Sequence, residues 1–106
     1  MSAYVVMMRE RTTDPAEMST YASMAPLARK GHSVIPLARY GTLEILEGAD
    51  FEGCLIHNFP SMEEARNWYY SPRYQEAMQH RLKGAQYRVF IVEGVPASKM
   101  PCSNSA

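Results

Sequence analysis

Three kinds of side chain in this sequence could do chemistry on a small molecule. His57 sits in Gly53-Cys54-Leu55-Ile56-His57-Asn58-Phe59, an imidazole among apolar neighbours. Burial and a suitable partner tune such a ring across neutral pH, which fits it to take up and return a proton. Arg39 lies near the end of the run Ser33-Val34-Ile35-Pro36-Leu37-Ala38-Arg39-Tyr40. Its planar fork suits a carboxylate or enolate oxygen, held through two parallel hydrogen bonds. Aromatic rings supply the rest: Tyr40 beside the arginine, Tyr4 in the first apolar run, and Trp68, Tyr69, Tyr70 and Tyr74 crowded on one segment. Arg81 follows two turns after Tyr74 and could clamp that segment's end or reach a ligand.

Each residue has a plainer role beside the chemical one. His57 shares a strand face with Leu55 and Phe59. If that face points between two sheets, the ring lies in a dry cleft; if it points at the helices, His57 is a core histidine satisfied by a backbone group or a hydroxyl. Arg39 could pair with Glu44, Glu47 or an acid of a second chain. Trp68 and Tyr69 fit a helix–sheet core, with Tyr70 and Tyr74 partly exposed, and Arg81 fits structural support. His32 and His80 are single histidines near helix ends, where a cation is mildly favoured. No pair of histidines has a metal-binding spacing, so no metal is expected. Glycine-rich phosphate motifs and nucleophile elbows are absent, and no cofactor is expected.

The elements that must position these residues read clearly. Tyr4-Val5-Val6-Met7-Met8 predicts a strand over residues 3–11. Asp14-Pro15-Ala16-Glu17 opens a helix, with Asp14 as cap, Pro15 at the first position and Glu17 as capping-box partner. Met18, Tyr21, Ala22, Ala25 and Ala28 continue it at helical spacing, Pro26 kinks or shortens it, and Gly31 caps its end. Residues 33–40 predict a second strand, which Pro36 assigns to a sheet edge or a bulge. Thr42 to Glu47 continues extended, residues 48–53 turn, and residues 54–59 return as a third strand. Ser61-Met62-Glu63-Glu64 is a second capping box, Ser71-Pro72 restarts the helix, and Gly84 closes it. Residues 86–93 form the last strand. From residue 95 to 106 a loose tail is expected, and residues 1–94 form one domain.

The order β-α-β-β-α-β predicts a ferredoxin-like α+β fold, a four-stranded antiparallel sheet with two helices on one face. A sheet covered on one side alone should alternate apolar with polar residues. Here both faces are apolar: Cys54 and Ile56 alternate with Leu55, His57 and Phe59, and Val89 and Ile91 alternate with Phe90 and Val92. A second copy packed across a two-fold axis would cover the spare face, giving a homodimeric barrel with a lined interior between the sheets.

Bulk composition narrows the partners. In 106 residues, eleven basic and eleven acidic side chains cancel, and no basic stripe or amphipathic run points to nucleic acid or a membrane surface. The apolar runs fall short of the roughly 20 residues that span a bilayer. The start of the chain lacks signal-peptide features, and Cys54 and Cys102 form neither a CxxC motif nor a zinc spacing, so a reducing cytoplasm is expected. Eight methionines suit an adaptable core or interface.

Several segments together resemble the family catalogued as domain of unknown function 1330: "DPAEMSTYASMAPLARKG", the Arg-x-Gly at Arg39-Tyr40-Gly41, "LEILEG", "NFPSMEEARNWYYSPRYQEAMQHR" and the closing "IVEG". The resemblance covers about residues 3 to 94, and Phe59 through Tyr74-Gln75 and Arg81 is its most specific part. It implies a dimeric α+β barrel. That superfamily includes cofactor-free monooxygenases, isomerases, polyketide cyclases, haem-handling enzymes and lyases. The chain departs from the family pattern at Ser33-Val34 and at Tyr40, where relatives carry glycines, and at Pro36.

Together these features predict a cofactor-free enzyme acting on a small oxygenated or carboxylated molecule by isomerisation, cyclisation, elimination or hydrolysis. Arg39 holds the oxyanion, His57 moves the proton, and Tyr40 or Tyr4 orients the substrate, with Trp68, Tyr69 and Arg81 lining the site. A non-catalytic ligand-binding or sensing dimer, a dimer with fully packed inner faces, and a cofactor-free oxygenase are the alternatives.

Overall fold

The computed structural model describes residues 2–95. The elements follow in the order β1 (Ala3–Thr12), α1 (Pro15–Ala28), β2 (Ile35–Arg39), β3 (Gly53–Phe59), α2 (Met62–Tyr69), α3 (Pro72–Gly84) and β4 (Ala85–Glu93). Local chemistry accounts for most of their boundaries. Asp14 Oδ1 accepts from the N–H groups of Ala16 and Glu17 at 3.1 and 3.4 Å, satisfying donors that the first helical turn leaves open. The expected capping-box return from Glu17 does not form. The Asp14 N–H instead donates to Gly84 O at 3.0 Å, and Glu17 pairs with His80 at 2.7 Å.

Pro26 lies within α1 without ending it, and the chain turns at Gly31, whose φ of +85° suits glycine. Ser61 Oγ accepts from Glu64 N–H at 3.1 Å and caps α2. Ser71 is extended (φ −65°, ψ 148°), as a residue before proline prefers. Its hydroxyl donates to Trp68 O at 2.7 Å and accepts from Tyr74 N–H at 3.3 Å. The second predicted helix is therefore two helices sharing a serine joint.

The four strands form one antiparallel sheet in the order β2-β3-β1-β4, the ferredoxin-like arrangement the sequence predicted. β2 is an edge strand, and its register slips between Pro36 and Ala38, because proline has no N–H to give to β3. Thr42 to Glu47, expected to extend that strand, forms none. The tail expected beyond residue 95, with Cys102, lies outside the described residues.

Ala3, Val5 and Met7 of β1 and Leu55, His57 and Phe59 of β3 are buried beneath the helices. Trp68 joins them, with its ring centroid 5.4 Å from Phe59 and 4.3 Å from Tyr74. The opposite face carries Val6, Ile56, Phe90 and Val92. Phe90 and Val92 are 46% and 48% exposed.

α1 packs chiefly on α3, and Gly84 sets how closely. A Cβ there would lie 2.8 Å from Met18 Cγ and 3.0 Å from Met18 N, too near for the backbone of α1 to stay in place. Gly84→Ala should destabilise the fold by about 1–3 kcal/mol, a typical cost of overpacking. Urea unfolding measures it, and an unchanged midpoint would show that α1 shifts freely.

Candidate functional site

A chamber of about 310 Å³ opens between α1 and the helix-facing side of the sheet. Its roof is α1, which presents Met18, Tyr21, Ala22, Ala25, Pro26 and Arg29. Alanine and proline fill little volume where a core helix would present leucine or phenylalanine, so the space beneath stays open. Met7, Arg9, Leu55, His57 and Tyr87 form the floor, and Trp68, Arg39 and Tyr40 complete the walls.

The expected interior between two facing sheets is thus not where this chamber lies. His57 points at the helices, the orientation expected of a core histidine, and still borders a cavity. The ring is 2% exposed and stands edge-on to Trp68 at 6.2 Å. Nδ1 has no hydrogen-bond partner, so neither the backbone group nor the hydroxyl expected of a satisfied core histidine is present on that atom. Burial first, then the charges of Arg29 and Arg39, push its pKa down to about 4. At neutral pH it is an uncharged base.

Tyr40 is held in an unusual conformation. Its φ of +54° makes it the one non-glycine residue with positive φ among those described, a strained state for an aromatic side chain. Its N–H donates to Cys54 O at 2.8 Å. Its ring lies on Gly53, where a Cβ would come within 2.9 Å of Tyr40 Cδ1. The Arg9 guanidinium caps the ring at 4.8 Å, a cation–π contact. The Tyr40 and Tyr87 hydroxyls share a 2.8 Å hydrogen bond, and burial, reinforced by that bond, raises the Tyr40 hydroxyl well above its ordinary value.

Arg9 Nε donates to Glu52 Oε1 at 3.1 Å. The Thr12 hydroxyl and N–H also bind this carboxylate, at 2.6 and 3.0 Å. Those two contacts, with the weaker one from Arg9, hold Glu52 below its ordinary pKa.

The structure brings His57, Arg39, Tyr40 and Trp68 to one chamber and leaves three expected residues out. Tyr4 lies on the opposite sheet face, paired with Asn58 and Val92. The register that turns Ala3 and Val5 inward turns Tyr4 outward. The Tyr69 hydroxyl donates to Met78 Sδ at 3.3 Å, and Tyr69 is not among the residues lining the chamber. Arg81 is 3% exposed behind the chamber, with its guanidinium 5.0 Å over the Tyr87 ring. Burial works against its charge, but the neighbouring Tyr74 and Tyr21 raise its pKa overall. Arg39 pairs with neither Glu44 nor Glu47, since the ion pairs of the described residues are Arg9–Glu52 and His80–Glu17.

Arg9, Arg29, Tyr21 and Tyr87 were not anticipated as lining residues. Arg9 was legible, because it continues the inward register Ala3, Val5, Met7. Among the described residues, no group of three His, Cys, Asp or Glu could hold a metal ion, and no helix is long and apolar enough to cross a membrane.

The family model described as domain of unknown function (DUF1330) matches residues 2–95. The chain belongs to that family. No curated protein matches it. Among solved structures, it is similar to a protein of unknown function from Rhodopseudomonas palustris (TM-score 0.69, 15% identity, 90% of this chain and 83% of that one). It is also similar to a dimeric protein of unknown function with a ferredoxin-like fold from Bacteroides fragilis (TM-score 0.61, 13% identity, 88% and 96%). A third is SnoaB, a cofactor-independent oxygenase from Streptomyces nogalater (TM-score 0.57, 8% identity, 93% and 98%). These likenesses establish the ferredoxin-like fold of this DUF1330 member.

The lowered pKa of His57 has a consequence for stability. The unfolded chain takes up this proton below about pH 6.5, its ordinary value, while the folded chain resists until about pH 4. The stabilisation is therefore complete above pH 6.5 and is lost as pH falls towards 4, by up to about 3 kcal/mol. Chemical denaturation across that window should show His57→Leu losing less stability on acidification than the parent. Parallel curves would mean that His57 titrates normally.

Proposed function

We propose that this protein is a cofactor-independent enzyme moving a proton on a small oxygenated or carboxylated organic molecule bound beneath α1. One observation carries this reading: an uncharged, buried imidazole borders a chamber that two arginines also line, and among the described residues neither its Nδ1 nor those arginines have a hydrogen-bond or ion-pair partner of the kind they would take. A neutral ring can take a proton from a carbon next to a carbonyl. The electron pair then moves onto the carbonyl oxygen, where the Arg39 guanidinium meets the developing charge. Return of the proton to another carbon gives isomerisation; attack of the enolate carbon on a carbonyl of the same molecule, with the proton passed to the new alkoxide, gives cyclisation; and expulsion of a leaving group that takes up the proton gives elimination. The same base acting on water would give hydrolysis. Tyr40, kept protonated, can donate a hydrogen bond that orients the substrate. Trp68 supplies an apolar wall.

A second reading draws support from the likeness to SnoaB. The same base would generate a carbanion that then meets dioxygen. A third, a non-catalytic ligand binder, uses the same chamber without proton transfer. We further infer a homodimer, in which a second copy covers the apolar face bearing Val6, Ile56, Phe90 and Val92; the dimeric Bacteroides fragilis protein of like fold supports this arrangement. The cysteine pattern favours a cytoplasmic setting.

Removal of the base should separate these readings. His57→Gln should lower turnover about 10²–10⁴-fold, the usual contribution of a positioned acid–base group, and Arg39→Ala should lower it comparably, with both proteins folded. Activity that persists without dioxygen assigns proton transfer, whereas activity lost there assigns oxygenation. Ligand binding with no turnover in the parent assigns a carrier. Separately, Phe90→Glu should convert the dimer to single chains in light scattering. A parent that already runs as a single chain would remove the dimer.

A further inference from the structure

We propose that Arg29 and Arg39 form a two-armed carboxylate site, so that the chamber's ligand is a carboxylic acid with an aromatic or otherwise apolar body. The inference rests on reading the chamber as a ligand site and adds the ligand's chemical class. The two arginines reach the chamber from different elements. Arg39 ends the edge strand β2, and Arg29 caps the C-terminus of α1, its backbone N–H bound to Pro26 O at 3.3 Å. Neither makes an ion pair among the described residues, and no acidic side chain lines the chamber.

Arg9, the third cation there, is already engaged by Glu52 and by the Tyr40 ring. The other two are therefore the arginines free to receive an anion. Their proximity also has a cost. Burial, and after it the Arg39 charge, lowers the pKa of Arg29, so Arg29 carries its charge beside a like charge. An anion between them removes that repulsion and gains charge-assisted hydrogen bonds.

The remaining surface specifies the body of the ligand. Met7, Met18, Ala25, Leu55 and Trp68 offer hydrocarbon and ring faces, and the hydroxyls of Tyr21, Tyr40 and Tyr87 on the same lining are already paired with one another or with Tyr74. The same two arginine charges act on His57, so the anionic head and the imidazole share one end of the chamber. A carboxylate seated there offsets the two charges that add to burial in lowering the His57 pKa, and His57 becomes a stronger base when the site is occupied.

Calorimetric titration of the full chain at low ionic strength tests the site. The probes are benzoate, 3-phenylpropionate and 2-naphthoate, each paired with its uncharged amide. At least one acid should bind ten-fold or more tightly than its amide. Arg29→Ala and Arg39→Ala should each remove that preference while leaving amide binding unchanged. Each variant without ligand should melt at the same temperature as the parent or higher, because a like-charge neighbour is gone; a residue holding the fold together would melt lower.

Trp68 is the single tryptophan of the chain, so its emission reports occupancy directly. Equal binding of acid and amide, or undiminished preference in both variants, would overturn the arginine site and leave the chamber reading standing. Absence of heat and of any emission change with every probe would overturn both.

Discussion

The position of α1 is the constraint on which the site depends. This helix is carried by α3 rather than by the sheet. Gly84 lets the two helices approach until Met18 fills the space a side chain would take. Gly84 O receives the N–H groups of Thr13 and Asp14 at 2.8 and 3.0 Å. The buried Tyr21 and Tyr74 hydroxyls share a 2.8 Å bond, and Glu17 meets His80. With α1 fixed laterally, its small residues can stand off the strands without the gap collapsing. Protein interiors ordinarily close such space, and here the lateral attachments allow it to persist.

The charges around that space differ in how they are balanced. A buried arginine normally has an acid beside it, because an unpaired buried charge is costly. Arg81 offsets part of that cost with the Tyr87 ring and with Tyr74 and Tyr21 beside it, while its Nε has no hydrogen-bond partner among the described residues. Arg29, half-buried, and Arg39, exposed at the end of β2, have no ion pair among the described residues. His57, held uncharged by burial and by those two cations, adds a hydrogen-bonding atom with nothing to bond. An unbonded buried imidazole beside two arginines is the combination that makes this space the candidate site.

Much of the fold was legible because its signals are local. Serine and aspartate caps, the Ser71-Pro72 break and the edge-marking Pro36 each act within a few residues, and the structure follows them. Thr42 to Glu47 failed because an extended, apolar–polar pattern needs a partner strand to become a strand, and none lies beside it. The site was harder to read. Strand alternation places Arg39's neighbours and His57 on definite faces, and it would have placed Arg9 as well. Which face meets helices and which meets solvent or a second chain is set by the packing of α1, α2 and α3, a property of the whole fold. Arg29 carried no such signal, since its direction follows from where α1 ends above the sheet.

The apolar character of both sheet faces therefore has two separate causes. On one face, β1 and β3 bury Val5, Met7, Leu55 and Phe59 beneath helices, and the incompleteness of that cover creates the chamber. On the other, Val6, Ile56, Phe90 and Val92 form a surface that no described element covers, of a kind that single chains seldom leave to water. Treating the two as one interior would have put the arginine and the histidine between sheets. Once they are separated, the covered face is the one that can hold a ligand, and the bare face is left for association. A change on the bare face can then alter assembly without touching the chamber, except through the strands' shared backbone. That backbone is the β1–β3 ladder in which Val5 pairs with His57 and Val6 with Ile56.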